Sequence, residues 1–417
     1  MSTVIRGQTM PHAAGLSAEP ENVSAREAAL VERAIGWQAE LAARADEIEA
    51  NRALPADIAR RFAEDGFYRL LVPRALGGLE TAPQTYVDVV RQLARADAAA
   101  AWCVMIGATS GLVSAYLPEQ TARSVFTDPN VLLAGVFAPR GKAASESRDG
   151  MAGYRLSGRW AWGSGSPNAD WIMGGALILG PDGAPTKDAD GLPVMRMMVM
   201  PAERVHLLNN WDAMGLAGTG SQDFEVADVW VAHDWSVDLV RDDPQAQGAL
   251  YAFPMFGLLA IGVAAVGLGV AEAAIADLVA LGGGKVPQGS ARPLAHRSAA
   301  QADLAKAEAM TRAGHAFLAQ AVEAAWAEAN AGGERPVISL ESRRDLRLAA
   351  THAMGQAADA VDLMQRAAGG SAVYRSHPLQ RRFRDVHTAT QHMMVGEATL
   401  ELAGRLMFGL AADTSTL

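Results

Sequence analysis

Gly153-Tyr154-Arg155-Leu156-Ser157-Gly158-Arg159-Trp160-Ala161-Trp162-Gly163-Ser164-Gly165-Ser166 decides how this chain is read. Tyr154, Leu156, Trp160 and Trp162 alternate with smaller or polar residues, the period-two signature of a half-buried strand. The strand runs into a Gly-Ser-Gly-Ser turn. Glycines there let backbone approach a ligand, hydroxyls and N–H groups offer hydrogen bonds, and tryptophan can wall a planar ring. A hairpin turn with two core tryptophans accounts for the same residues.

Further strands follow. Trp171 to Leu179 and Val194 to Met200 are short apolar runs bounded by Gly, Pro and Asp, and Phe224-Glu225-Val226 with Val229-Trp230-Val231 predicts a strand pair. On either side the text is helical. Upstream, Glu27 to Phe126 is rich in Ala, Glu and Arg. Pro55 stands near a helix start, where its missing N–H costs nothing, and Gly66 closes that helix. A long helix is expected from Gln84 to about Ala101 and another up to Leu117-Pro118. Downstream of Phe253, Leu304, Ala307, Gly314, Leu318, Ala321 and Ala325 draw one apolar stripe, and four segments with short breaks predict a four-helix bundle. The expected division is a mobile tail (1–24), an N-terminal helical domain (25–126), a middle β domain (127–238) and a C-terminal bundle (239–417). The fold class is thus mostly α with a central β domain.

Composition removes several functions. The 417 residues are half hydrophobic and carry a formal net charge of -10 without long blocks of either sign. A polyphosphate partner needs clustered Lys and Arg, so no nucleic acid is expected. No uninterrupted apolar run reaches the roughly 18 residues of a membrane span, and Tyr251 to Val270 comes closest. Cys103 is the single cysteine, which excludes an internal disulfide framework and a cysteine zinc site. With no apolar leader near the start, a soluble cytoplasmic protein is expected.

Two more glycine-rich stretches are candidate sites. Trp211-Asp212-Ala213-Met214-Gly215-Leu216-Ala217-Gly218-Thr219-Gly220-Ser221 could touch a phosphate or a ring, but no Gly-Lys-Ser/Thr follows and the loop leads into a strand, so it is not a P-loop and a structural loop accounts for it better. Gly369-Gly370, followed by Arg381-Arg382-Phe383-Arg384-Asp385, could receive a cofactor phosphate. His387 and His392 are five apart and share no helix face, so no metal is expected. No Gly-x-Ser-x-Gly elbow marks a serine hydrolase, and no dinucleotide fingerprint marks a nicotinamide site.

These pieces, in this order from about residue 30, resemble the acyl-CoA dehydrogenase superfamily: Leu54-Pro55, Gly77-Gly78-Leu79-Glu80, the Gly153–Gly165 strand, Met214-Gly215-Leu216, Asp228-Val229-Trp230-Val231, Gly369-Gly370 and Arg384-Asp385. The resemblance implies a helical, β-barrel and four-helix-bundle arrangement and a homotetramer with flavin at a subunit boundary. Common dehydrogenases of the superfamily carry a glutamate base eight residues after the aspartate; here that place is Met393, a thioether that cannot accept a proton. Glu397 and Glu401 lie further along. Ala101-Trp102, Gly158-Arg159-Trp160 and Arg384-Asp385 through His392 are more similar to the monooxygenase branch, which includes steroid-degrading, dibenzothiophene-oxidising and phenol-hydroxylating oxygenases.

That branch implies the oxygenase component of a two-component flavin-dependent monooxygenase. Reduced FMN or FAD would come from a separate NAD(P)H:flavin reductase, and O₂ would form a C4a-hydroperoxide that oxygenates an aromatic or heteroaromatic small molecule. By the same resemblance His392 would sit near flavin C4a, and Ser164 would donate to the flavin edge. Trp162 and Gly163 would flank the ring, while Arg292, Gly369 and Gly370 would meet cofactor phosphate. Trp102, Ser110 and Met393 would face the substrate. Several phenol-oxidising relatives carry a histidine where this chain has Ser110, which points to a substrate needing no phenolate, such as an indole-like heteroaromatic or a sulfur or nitrogen centre. The rival readings are an FAD-dependent acyl-CoA dehydrogenase-type oxidoreductase with a base such as Glu397, and a helical scaffold without flavin.

Overall fold

A computed structural model describes residues 23–332 and 336–417. Of the tail expected over 1–24, residues up to 22 lie outside the described residues, and Val23 and Ser24 already belong to a helix. Six helices come first: α1 (Val23–Gly36), α2 (Gln38–Asn51), α3 (Ala56–Glu64), α4 (Pro83–Ala94), α5 (Ala98–Gly111) and α6 (Glu119–Val125). Seven strands follow: β1 (Leu133–Arg148), β2 (Met151–Gly163), β3 (Trp171–Leu179), β4 (Met195–Pro201), β5 (His206–Leu207), β6 (Gln222–Ala232) and β7 (Ser236–Val237). The chain ends with α7 (Ala249–Ala252), α8 (Met255–Gly282), α9 (Ser298–Ala329), α10 (Leu340–Ala368), α11 (Pro378–Ala389) and α12 (Glu397–Met407).

The single helix expected from Gln84 to Ala101 is two. Asp97 is extended (φ -144°, ψ 120°) and its side chain accepts the Ala100 N–H, so a new helix starts there. The strand pair expected at Phe224–Val226 and Val229–Val231 is one strand, β6, with a bulge. Its pairing with β2 slips between Leu156↔Val229 and Gly158↔Val226, and Asp228 takes φ 60° while its N–H donates to Ser157 Oγ. The middle of the chain is one seven-stranded sheet, β5-β6-β2-β1-β3-β4-β7, in which β1 and β3 are parallel and the remaining neighbours antiparallel.

The main core lies between the N-terminal helices and the bundle of α8, α9, α10 and the shorter α11. α8 is apolar all round, as a helix enclosed by neighbours must be, and it packs against α4, α5, α10 and α11. By mean hydropathy α8 and the Ala98–Ala115 segment are long and apolar enough to cross a membrane; both are mostly buried in the protein interior, as core helices are.

Candidate functional site

β2 delivers the site's most unusual residue. Two residues, Ala161 and Trp162, bulge where the pairing jumps from Trp160↔Phe224 to Gly163↔Gln222. Trp162 takes φ 67°, a conformation costly for a bulky side chain. The bulge gives the two tryptophans opposite fates. Trp160 is fully buried, stacks on Phe224 at 5.1 Å, and donates its indole N–H to the Gly175 carbonyl. Trp162 is 74% exposed, an aromatic wall presented beside the Ser164-Gly165-Ser166 turn.

Behind that wall a chain of hydroxyls runs inward. Trp102, buried on α5, donates its indole N–H to Ser164 Oγ at 3.1 Å. Ser164 Oγ lies 2.7 Å from Ser221 Oγ, which lies 2.6 Å from Thr219 Oγ1. Thr219 donates to the Leu216 carbonyl at 2.7 Å. Each hydroxyl has one proton, so the last bond orders the rest: Ser221 donates to Thr219, and Ser164 donates to Ser221. The Ser164 proton is therefore committed inward. Ser166 Oγ is buried with no hydrogen-bond partner, so it is the free donor of the turn.

His392 completes this cluster. Its ring meets Trp102 edge-on, with centroids 5.5 Å apart and planes at 70°. Nδ1 accepts the Met394 N–H at 3.3 Å, which leaves the ring proton on Nε2. Burial, aided by the Arg347 charge, pushes the imidazole pKa down to about 4, so at neutral pH the ring is an uncharged N–H donor.

The Met214–Ser221 loop and the Arg384-Asp385 pair, read separately in the sequence, interlock. Asp385 accepts the Leu216 N–H at 2.7 Å, and Arg384 donates to the Met214 carbonyl at 2.6 Å while pairing with Glu49. Gly215 runs so close to α11 that a Cβ there would lie 2.1 Å from the Arg384 carbonyl oxygen. Asp385 is buried and its pKa is pushed up to about 7, first by burial and then by the Asp97 charge. The glycine loop thus holds Thr219 and Ser221 in place for Ser164.

Other expected site residues lie apart from this cluster. Gly369 and Gly370 follow α10, where Lys285 Nζ reaches the Ala368 carbonyl and Ser371 Oγ. Arg292 is exposed on the loop after α8. Among the described residues no hydrogen bond, ion pair or ring contact joins either feature to Ser164 or His392. Ser110 is half-buried near the end of α5, two turns from Trp102, and Met393 is exposed beside His392. Glu397 and Glu401 are exposed on α12, so neither carboxylate is sequestered as a proton-abstracting base would be. His387 pairs with Asp362 instead of joining His392. Reading the sequence included Ser166 only as part of the Gly-Ser-Gly-Ser turn, and it missed Lys285 and Arg347, because nothing local to them signals what they face.

The arrangement suits a flat, partly apolar cofactor. It has an exposed aromatic wall, an unpartnered buried hydroxyl, an uncharged imidazole donor, and open space around Gly165, where a Cβ would meet nothing within 4 Å. Comparisons with known proteins agree. Residues 28–121 match the family model of the acyl-CoA dehydrogenase N-terminal domain and residues 261–397 that of the acyl-CoA dehydrogenase C-terminal domain. An indole-3-acetate monooxygenase of Pseudomonas putida is 34% identical over 370 residues, covering 88% of this chain and 90% of the relative. The oxygenase component of an FADH₂-dependent resorcinol hydroxylase of Rhizobium sp. is 29% identical over 381 residues, with 88% and 90% covered. The structure of XiaF from Streptomyces sp. in complex with FADH₂ and glycerol superposes with a TM-score of 0.83 at 26% identity, covering 93% of this chain and 97% of that one. The chain belongs to the acyl-CoA dehydrogenase family, among the oxygenase components of flavin-dependent monooxygenases, oxidoreductases that use reduced flavin and O₂.

Proposed function

We propose that this enzyme oxygenates an indole-type ring carrying a carboxylate side chain, between Trp102, His392 and the wall formed by Trp162. One observation carries the reading: a neutral His392, its N–H on Nε2, stands edge-on to Trp102 in a cluster that holds no carboxylate base among the described residues. Such a site can donate a hydrogen bond to an oxygen atom but cannot take an α-proton from a thioester. Ser110, where a phenol-oxidising site would place an imidazole, supports a ring that reacts without ionising. The likeness to an indole-3-acetate monooxygenase supports the same substrate class.

Reduced flavin, once bound, supplies the two electrons that activate O₂ for transfer of one oxygen atom. The protein's part is placement and protection. Trp162 and Gly163 flank the ring plane, the Ser166 hydroxyl is a free donor at its edge, and Ser164 fixes Trp102 through the hydroxyl chain. His392 Nε2–H holds oxygen at the reacting face, and Met393 with Met394 keeps that face apolar. Arg292, Gly369 and Gly370 take the phosphate end of the cofactor.

The reading includes a separate NAD(P)H:flavin reductase, as the oxygenase-component name of the Rhizobium relative supports. It also includes a homotetramer working in the cytoplasm, with a neighbouring subunit bringing Arg292 and the Gly369-Gly370 turn to this site. Exposed Val373, Tyr374, Met407 and Phe408 offer apolar surface for that assembly. The domain division at 25–126, 127–238 and 239–417 places Trp102, Ser164 and His392 on three different domains, so the site lies where they meet.

Anaerobic protein mixed with reduced FAD or FMN and then given oxygen tests the reading. The expected result is a lasting absorbing species ahead of oxidised flavin, and indole-3-acetate consumed with oxygen incorporated. Immediate reoxidation with no such species, together with FAD that co-purifies tightly, would replace this function with a dehydrogenase.

A further inference from the structure

Arg347 lies in the first third of α10 and is 3% exposed. Few side chains are as costly to bury as a guanidinium, and buried ones normally face a carboxylate. Among the described residues this one faces none within 4 Å. Nη2 donates to Thr399 Oγ1 at 3.2 Å, Nη1 to the Thr416 carbonyl, and Nε has no partner at all. Arg382, also well buried, reaches the Asp277 carboxylate and the Ala96 carbonyl. Arg69 shares the deficit of Arg347, being held by main-chain carbonyls of Gly77, Phe126 and Asp128 with its Nε unpartnered, so it is place in the fold that sets Arg347 apart. Arg347 has neutral acceptors, an unused donor and no counter-charge.

Its position gives that deficit a meaning. α10 packs against the Met393–Val395 turn that follows His392 and against α12, and the Arg347 charge is felt at the His392 ring. A cation thus stands behind the imidazole that meets Trp102. Over it lies the segment from Thr414 to Leu417, held by Arg343 at the Thr414 carbonyl and at a terminal main-chain oxygen of Leu417 and by Arg347 at the Thr416 carbonyl, with Leu417 2% exposed. A main-chain carbonyl is a weak partner for a guanidinium. A carboxylate takes two of its N–H groups at once and neutralises it.

We infer that Arg347 is the anchor for the carboxylate of the substrate, which takes the place of the Thr416 carbonyl at the guanidinium while the aromatic ring lies against Trp102 and His392. The anchor rests on the proposed oxygenation of a carboxylate-bearing indole. It is a specificity-determining residue: it selects anionic arylacetates over neutral indoles of the same size and sets the distance from the carboxylate to the reacting ring carbon. Arg343, engaged twice by the 414–417 segment, holds that segment beside the anchor.

The test is equilibrium binding to the full-length protein with reduced FAD under anaerobic conditions, by calorimetry, with indole-3-acetate and the neutral 3-methylindole as probes. Wild type is expected to prefer the acid by more than about tenfold. Arg347→Met is expected to weaken acid binding roughly 100-fold and to leave 3-methylindole unchanged, because a buried charged pair loses one member. Arg347→Lys, which keeps the charge but not the planar fork and protects the test should the Met variant not fold, is expected to lose about tenfold on the acid alone. An Arg that only pins the 414–417 segment would shift both probes together or neither, and that result overturns the anchor. Equal wild-type affinity for the two probes also overturns it while the oxygenase reading stands. No affinity for either probe in a protein that binds reduced FAD overturns the substrate reading and the anchor with it.

Discussion

Trp102 donates its indole N–H to Ser164 Oγ at 3.1 Å, tying α5 to the turn after β2 across 62 positions of sequence. The same tryptophan meets the His392 ring edge-on. One side chain therefore sets the spacing between the flavin-facing turn and the imidazole donor, and the consequences can be measured.

Ser164→Ala removes the link while leaving Trp162 and His392 in place. The Trp102 N–H is left without an acceptor in a buried site, and Ser221 loses a donor, a cost of about 1–3 kcal/mol. The expected outcome is a lower midpoint of thermal unfolding and a dissociation constant for reduced FAD raised about tenfold. A variant that unfolds at a lower temperature yet binds flavin as wild type does would limit Ser164 to a structural part.

Replacing His392 by Ala separates oxygen transfer from flavin binding. The variant keeps its flavin affinity but releases hydrogen peroxide, and product formed per reduced flavin falls by more than about tenfold, as when a single preorganised donor is removed. Unchanged coupling would take His392 out of the mechanism.

Protonation of His392 should also mark an acid limit. The unfolded chain binds the ring proton near 6.5, whereas the folded ring refuses it until about 4. Stability from this group is therefore present above about 6.5 and is lost as pH falls toward 4. Thermal unfolding followed over that range should show the loss in wild type and a smaller one in His392→Gln.

Asp385 carries the opposite sign. Its carboxyl stays protonated up to about 7 in the folded chain against 3.8 in the unfolded one, so its contribution is full below 3.8 and is lost as pH rises through 7. The groups around it are Asp97, Arg382 and Arg384. Asp385→Asn can still accept the Leu216 N–H. Its unfolding temperature relative to wild type should climb from pH 5 to pH 8. A difference that does not change with pH would show that the titration does not operate.

Gly215→Ala tests the interlock of loop and helix. The added methyl would meet the Arg384 carbonyl oxygen at 2.1 Å, and backbone on both sides has nowhere to move. A loss of about 1–3 kcal/mol is expected by chemical denaturation, with weaker flavin binding as Thr219 and Ser221 shift. A neutral effect would mean that the loop is freer than its packing indicates.

Local pattern alone determined a good deal of this protein. Alternation from Tyr154 to Trp160 placed β2, the stripe from Leu304 to Ala325 placed α9, and the order of the glycine and Arg-Asp motifs pointed to the family. These are statements about periodicity and chain order, which neighbouring residues fix among themselves. Only the tertiary structure decided that Trp162 points out while Trp160 points in, because a bulge breaks the two-residue period within a stretch whose composition does not change. It alone closed the Trp102–Ser164–Ser221–Thr219 chain and brought the Gly215 loop onto Arg384. It alone set Arg347, one of several arginines in its helix, into a buried place with no side-chain carboxylate paired to it among the described residues. Periodicity tells which face of an element is covered but not by what, and a site made from α5, the β2 turn and the segment after α11 exists only once those distant stretches meet.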